Sequence, residues 1–278
     1  MMTSLRILLK SPKFLVGFTL LVVLLLFVFI YPKINTEDPL EMVAMSFEPP
    51  SEDFVLGTDT FGRDVLLELT YGTQTSLYIG MIAGLIATGI GVLLGLVGGY
   101  KGGLFDNVIT TFTNLFLVIP SFIILILISV SLNSRSAFII AVIIGITSWP
   151  WTARAVRAQT SSLRARDYIN IAKISGYGDL KIMIKEVLPY IASYVFMAFI
   201  LQLATGILQE AAISMLGLGP FNTVSLGIML NWAMMFEAPA AGAWWAFVPT
   251  TMIISAITFS LYMMNAGMDE IFNPKIRS

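Results

Sequence analysis

The distribution of charged residues constrains the fold of this chain more than any other feature. Seven long stretches contain no Asp, Glu, Lys or Arg: 14–32, 69–100, 107–134, 136–153, 187–209, 211–236 and 238–268. About 20 apolar residues in a helix cross a bilayer, because roughly 30 Å of hydrocarbon is spanned at 1.5 Å per residue. Charges and unpaired backbone groups are costly there, so each true span is expected to be helical.

The composition supports a membrane protein. Hydrophobic residues make up 57% of the 278 residues, charged residues 12%, and the mean hydropathy is +0.85. A soluble domain carries about 25% charged residues, and a disordered chain combines low hydrophobicity with high net charge. The net charge of −1 gives no basic field for nucleic acid, so we expect a lipid bilayer and no nucleic-acid partner.

The chain contains no cysteine and no histidine, which excludes several kinds of site. Disulfides, Cys/His zinc sites and His-ligated haem cannot form. Nucleophilic systems that need histidine as a base are excluded too. We therefore assign no catalytic residue and no metal ligand.

Six of the uncharged stretches contain a helix-forming apolar core, which predicts an all-α polytopic membrane protein with six transmembrane helices. The predicted cores are Phe14–Tyr31, Ser76–Val97, Val108–Val130, Ala137–Trp151, Tyr190 to about Met215, and about Ala246 to Met264. The fourth core needs flanking residues to reach full length. The stretch 211–236 is rich in Gly, Pro and Asn, and we interpret it as a loop, with or without a dip into the membrane.

Lys and Arg predict an orientation with both termini inside. Inner segments would then hold Arg6, Lys10, Lys13, Lys101, Arg154, Arg157, Arg164, Arg166, Lys173, Lys181, Lys185, Lys275 and Arg277. Outer segments would hold only Lys33, Arg63 and Arg135, and the first outer loop is acidic. A cleaved signal peptide is the alternative for the first span, but its core is long and Tyr31-Pro32-Lys33 follows it instead of small residues.

This topology divides the chain into three parts. Residues 1–75 form an N-terminal tail, the first transmembrane helix and the acidic extracytoplasmic loop. Residues 76–270 form a transmembrane domain of five helices, with a long inner loop at about 154–189. Residues 271–278 form a cytoplasmic tail.

The long inner loop has the pattern of two short amphipathic helices. The first is predicted to carry an apolar face, and the second repeats it after a break at Gly176 and Gly178, with Asp179 as N-cap. The predicted faces are Tyr168, Ile171, Ala172 and Ser175, then Leu180, Met183, Ile184 and Val187. Periodicity alone favours equally a docking element for a soluble partner and a helix pair on anionic lipid.

The same loop resembles the EAA loop of ABC-importer permeases. Its residues are Asp167-Tyr168-Ile169-Asn170-Ile171-Ala172-Lys173-Ile174-Ser175-Gly176, then Ile182-Met183-Ile184 and Val187-Leu188-Pro189. Asn170-Ile171-Ala172 occupies the family's triplet and retains only its final alanine. Glu186 and Tyr190 stand where the subfamily usually has His and Asn.

Three further motifs resemble the dipeptide/oligopeptide (and nickel) transport family, C-type subunit. They are the outer-loop stretch Leu56–Val65, the short inner loop Gly98–Asp106, and the motif Glu210–Gly219 at the end of the fifth span. Leu226-Gly227 stands where the family has Trp-Gly. The four motifs follow one another in the family's order. The resemblance covers the chain from about residue 5 to its end.

This resemblance implies a type I ABC-importer permease fold with a cytoplasmic coupling-helix loop, in a bacterial or archaeal cytoplasmic membrane. It implies a homologous B-type permease, two ABC ATPases and an extracytoplasmic solute-binding protein as partners. No Gly-x-x-x-x-Gly-Lys-Ser/Thr loop is present, so ATP and Mg would be bound by the ATPases and no cofactor by this chain. The residues implied in coupling to the ATPase are Asp167, Tyr168, Asn170, Ile171, Ala172, Gly176, Leu188 and Pro189.

The candidates for the transport pathway or the outer loops are Glu210, Ser214, Gly217, Gly219, Asp59, Arg63 and Asp64. For Glu210 we favour structural hydrogen bonding over a place in the pathway, and both over snorkelling to the surface. For Arg63 and Asp64 we favour structural and docking roles over substrate binding.

Peptide import is the leading function. Within the same kind of transporter, oligosaccharides or chelated nickel are alternatives. An intramembrane enzyme is disfavoured because Glu210 is the sole candidate base in the predicted spans. A passive channel is the remaining alternative.

Overall fold

The computed structural model describes residues 11–132, 135–221 and 223–272. The predicted N-terminal tail up to residue 10, and residues 273–278 of the predicted C-terminal tail, lie outside the described residues. The helices are α1 (Pro12–Ile34), α2 (Val65–Lys101), α3 (Gly103–Val118), α4 (Ser121–Ser131), α5 (Ala137–Arg164), α6 (Asp167–Ile174), α7 (Asp179–Ile182), α8 (Leu188–Ile213), α9 (Leu226–Met235) and α10 (Val248–Phe272). Two π-helical turns, Met183–Val187 and Ser214–Leu218, flank α8, so that one helical segment runs from Asp179 to Leu218.

The predicted six crossings agree with this architecture. Five helical segments are long and apolar enough to span a membrane, and there are six when α3 and α4, bent by 79°, are counted together as one broken span. The fourth span reaches full length by continuing to Arg164. Side-chain N-caps begin three of the spans, from Ser11, Asp64 and Ser136.

The third span was predicted to be continuous from Val108 to Val130, and this is wrong. The helix ends at Val118 and a new helix begins at Ser121, because Ile119 and Pro120 adopt extended backbone angles. Proline has no N–H to donate within a helix and disfavours helical angles in the residue before it. Pro120 therefore produces the bend.

Helix α2 lies at the centre of the bundle because its glycines allow close approach. A Cβ at Gly91 would lie 2.6 Å from the Thr152 Cβ of α5, and one at Gly80 would lie 2.5 Å from Ile207 of α8. Gly95 and Gly99 contact α5 in the same way. The small-residue pairs of α2 thus pack within this chain.

The stretch 211–236 was predicted to be a loop, and the structure corrects this in part. Leu226–Met235 forms α9, with Leu226 fully buried. The helix begins where the Ser225 hydroxyl accepts a hydrogen bond from the Ile228 N–H at 3.2 Å. Glycine, proline and asparagine before the helix, together with Gly227 and Asn231 within it, gave the stretch a loop composition that concealed a ten-residue helix.

The two sides of the bundle differ in structure. The start of α1 and the end of α10 meet at the Lys13–Glu270 ion pair, 3.5 Å long, on the side where α6 and α7 lie. We call this the hairpin side. The opposite side carries residues 35–64, which we call the acidic cap, packed against α9 and Trp245.

Candidate functional site

The predicted helical hairpin is present, and Gly176 makes its turn. Gly176 has a φ of 80°, in the left-handed region that glycine adopts without strain. The N–H of Gly176 donates to the Lys173 carbonyl at 3.0 Å, and the N–H of Tyr177 donates to the Ala172 carbonyl at 3.1 Å. These bonds close α6 in the manner of a C-terminal glycine cap.

The buried face of α6 differs from the predicted face. Ile169 is fully buried and Ala172 is 8% exposed, whereas Ile171 is 62% exposed. Ser175 is also exposed. Apolar residues occur on two faces of this helix. The ends of α2 and α5 cover the face that contains Ile169, which packs with Tyr100 and Leu163.

The second half of the hairpin needs two corrections. Gly178, not Asp179, occupies the N-cap position, and Asp179 is the first residue of α7. Met183 and Val187 are buried as predicted, but Leu180 and Ile184 are exposed. Helix α7 also continues into α8 through the π-helical turn, which precedes Pro189 and accommodates its missing N–H.

The hairpin consequently exposes apolar side chains, which we call the hairpin patch. The patch consists of Ile171 (62% exposed), Ile174 (87%), Tyr177 (37%), Leu180 (68%) and Ile184 (52%). Lys173, Lys181 and Lys185 are exposed on the same hairpin. An exposed apolar group with a polar rim is typical of a contact with another protein or with a membrane surface.

The other predicted coupling residues lie around this patch. Asp167 and Asn170 are exposed on α6, and Pro189 is exposed at the start of α8, with Leu188 half-buried beside it. Tyr168 stacks on Tyr190 with ring centroids 6.2 Å apart. Burial raises the pKa of the Tyr168 hydroxyl. Coupling through these residues stays a prediction.

The acidic cap is ordered by the motif Leu56–Val65. Oδ1 of Asp59 accepts from the N–H groups of Phe61 at 2.7 Å and Arg63 at 2.9 Å, and Asp64 caps α2 by accepting from Leu66 N–H at 2.8 Å. Burial raises the pKa of both aspartates. Asp59 and Asp64 therefore hold the backbone of the cap and the start of α2.

Arg63 joins the acidic cap to the bundle. Its guanidinium lies 4.4 Å from the Phe61 ring centroid and 4.8 Å from that of Trp232, and its Nη1 is 3.4 Å from Oε1 of the buried Glu68. The side chain is 17% exposed. These contacts place Arg63 between the acidic cap and α9, which agrees with the structural role favoured for it.

Glu210 is the centre of a buried polar cluster. Its carboxylate accepts from the hydroxyls of Ser76 at 2.7 Å, Ser214 at 2.7 Å and Ser225 at 2.6 Å. Ser76 in turn accepts from the Leu226 N–H at 3.1 Å. Glu210 has no exposed surface, so its side chain does not snorkel. The Glu210 cluster ties α2 and α8 to the start of α9.

Four predicted pathway candidates meet on the side of the acidic cap. Arg63, Ser214, Gly217 and Gly219 line one recess of about 340 Å³. Gly217 has a φ of 77° and makes a kink within the π-helical turn after α8. Asp59 and Asp64 do not line this recess. The predicted candidates thus fall into a cap group (Asp59 and Asp64), a recess group (Arg63, Ser214, Gly217 and Gly219) and the buried Glu210.

An open groove of about 530 Å³, which was not predicted from the sequence, lies about halfway along the bundle. We call it the central groove. Its walls come from the α3–α4 break, the middle of α5, the second half of α8, and α10. Its polar lining residues are Ser121, Thr147, Ser148, Gln202, Thr205, Gln209 and Tyr262. The spacing of Gln202, Thr205 and Gln209 on one face of a helix was the available signal.

Residues 91–277 match the family model described as binding-protein-dependent transport system inner membrane component. The chain belongs to this family. As an inner membrane component of such a system, it is a multi-pass protein of the cytoplasmic membrane, and its helical bundle agrees with that.

Relatives of this inner membrane component include three bacterial transport proteins. The oligopeptide transport system permease protein OppC of Lactococcus lactis strain IL1403 is 30% identical over 94% of this chain and 90% of its own. The dipeptide transport system permease protein DppC of Haemophilus influenzae is 29% identical, over 95% and 90%. DppC of Bacillus subtilis is 32% identical, over 82% and 71%. All three are transport permeases by name.

Proposed function

We propose that this chain is the C-type permease subunit of an ATP-driven peptide importer, and that it forms the translocation pathway with a homologous second permease. The relatives named as oligopeptide and dipeptide permeases match nearly the whole chain. The observation that carries the proposal is the hairpin patch, since a permease without its own ATPase needs a docking surface. The implied partners are a B-type permease, two ABC ATPases that bind ATP and Mg, and an extracytoplasmic solute-binding protein.

The hairpin is suited to pass movement from an ATPase into the bundle. Its exposed side carries the hairpin patch, and its buried side packs on the ends of α2 and α5 through Ile169 and Ala172. Helix α7 continues into α8 without a flexible linker. A displacement of the patch would therefore move α8, which lines the central groove.

We expect the hairpin side to be cytoplasmic and the acidic cap to be extracytoplasmic. Lysines and arginines on the hairpin side favour the inside. On this cysteine-free background, Lys173→Cys should be labelled by an impermeant thiol reagent only after the cells are permeabilised. Glu41→Cys in the acidic cap is the matched control and should be labelled in intact cells. Labelling of position 173 in intact cells would show that the hairpin side faces outwards, contrary to the expected orientation.

We expect the isolated chain to hydrolyse no ATP. It has no phosphate-binding loop, and its relatives are permeases by name. The measurement is phosphate release by the purified chain, with and without the ATPase subunits. Activity that remained with the chain through successive purification steps would contradict the proposal.

Uptake by the reconstituted complex tests the transport function as a whole. Proteoliposomes that contain both permeases and both ATPases, supplied with the binding protein, should accumulate labelled peptide only with ATP. Uptake of an oligosaccharide or a nickel chelate in place of peptide would select one of the alternative substrates. Peptide flux without ATP would indicate a passive channel.

A further inference from the structure

We propose that the central groove is a peptide-contact site that binds the peptide backbone and does not select the charge of the side chains. The inference rests on the proposed peptide transport and names the residues that would perform it. The contact residues are Thr205 and Gln209 on α8, with Ser148 on α5 as the residue that positions Gln209.

The groove has the position that such a site needs. It lies beside Pro120, where the third span is interrupted, and near the middle of α5 and α10. In secondary transporters, binding sites lie near the bilayer midplane and are formed by interrupted helices, which is the arrangement seen at this groove. The volume of about 530 Å³ is within the range of pockets for small ligands.

Among the described residues that line the groove, none carries a charge. This distinguishes it from the recess of about 340 Å³, where Arg63 contributes a guanidinium. A buried charged site would attract peptides of opposite charge and exclude those of like charge. The uncharged lining of the central groove neither attracts nor repels charged side chains, so peptides of either charge would make the same contacts.

The polar groups of the groove can both donate and accept hydrogen bonds. Oε1 of Gln209 accepts from the Ser148 hydroxyl at 3.1 Å, which orients the Gln209 amide and leaves its NH₂ group to donate. The Thr205 hydroxyl donates to the Leu201 carbonyl at 2.8 Å, so its oxygen lone pairs can accept. Each peptide unit presents one carbonyl and one N–H, which are the complementary groups.

Gln202, which lies next to Thr205 and Gln209 on α8, has a different role. Its Nε2 donates to the Ser148 carbonyl at 3.0 Å and to the Thr152 hydroxyl at 2.9 Å, and the side chain is only 5% exposed. Gln202 therefore fixes α8 against α5 and holds Ser148 in place. Thr205 and Gln209 are half-buried and face the groove.

The test uses the complete complex in proteoliposomes with saturating binding protein and three labelled tripeptides: Ala-Ala-Ala, Ala-Glu-Ala and Ala-Lys-Ala. Thr205→Val and Gln209→Leu should each lower the uptake rate of all three by about 2- to 10-fold, the cost of one or two hydrogen bonds. Gln209→Glu should create a preference for Ala-Lys-Ala over Ala-Glu-Ala of about tenfold. Thr251→Val is the matched control, because Thr251 is exposed on α10 and its hydroxyl also bonds to the carbonyl four residues earlier.

Protection from a thiol reagent tests the contact independently of transport rate. Thr205→Cys in the complex should react more slowly with a maleimide when Ala-Ala-Ala is present during turnover, whereas Thr251→Cys should react equally with and without peptide. Normal uptake by Thr205→Val and Gln209→Leu, with no protection of position 205, would refute the site while leaving peptide transport intact. A wild-type complex that took up none of the three peptides would refute the proposed function and this inference together.

Discussion

Glu210→Ala is expected to lower the free energy of unfolding by about 3 kcal/mol or more, because it leaves three buried hydroxyls without their acceptor. Ser76, Ser214 and Ser225 all donate to this carboxylate at 2.6–2.7 Å, and Glu210 has no exposed surface. SDS titration of the purified chain in detergent measures the change. The start of α9 should lose order first, because Ser76 and Ser225 also accept from its N–H groups.

Two further variants separate the hydrogen bonds of Glu210 from the mere presence of a carboxyl group. Glu210→Gln keeps one carbonyl oxygen for Ser214 and Ser225 but presents an NH₂ group to Ser76, so an intermediate loss is expected. Glu52→Ala in the acidic cap removes an exposed carboxylate and should stay within about 0.5 kcal/mol of the wild type. Equal stability of Glu210→Ala and Glu52→Ala would show that the Glu210 cluster does not fasten α9.

The membrane spans could be predicted from the sequence because the bilayer excludes charge over a known thickness. The gaps between charged residues located six crossings, and the flank that follows Ala137–Trp151 proved helical as far as Arg164. The bend at Pro120 was not predicted, since hydropathy does not register the backbone angles of Ile119 and Pro120. The helix α9 was missed because ten residues are too few to produce a hydropathy signal for a span.

The candidate sites were predictable to different degrees. The turn at Gly176 could be predicted because Gly176 and Gly178 interrupt the helical pattern. The buried face of α6 could not, because it depends on contacts with Tyr100 and Leu163, which lie far away in sequence. For Glu210, the cost of a buried charge suggested hydrogen bonding, and the fold supplies the three serines. The central groove combines four chain segments, and the one local signal, the spacing of Gln202, Thr205 and Gln209, does not identify its other walls.

Gly176→Val is expected to reduce uptake by the complex by about tenfold or more while the six spans still form. The φ of Gly176 is 80°, and a β-branched residue at such an angle costs of order 1–3 kcal/mol, where 1.4 kcal/mol corresponds to a factor of ten. Space is not the cause, since a Cβ at this position would meet no atom within 4 Å. The hairpin would relieve the strain by changing the angle between α6 and α7, and this would divide the hairpin patch.

Gly178→Val is the matched control for this prediction. Gly178 lies in the same turn and also has open space around its Cβ position, but its φ of −71° is accessible to valine. ATPase co-purification and peptide uptake, measured together, locate the defect. Loss of both in Gly176→Val indicates weak docking, whereas normal co-purification with slow uptake indicates uncoupled hydrolysis. If Gly176→Val and Gly178→Val both assembled and transported at the wild-type rate, the hairpin would not be the coupling element, and an interfacial helix pair on anionic lipid would replace it.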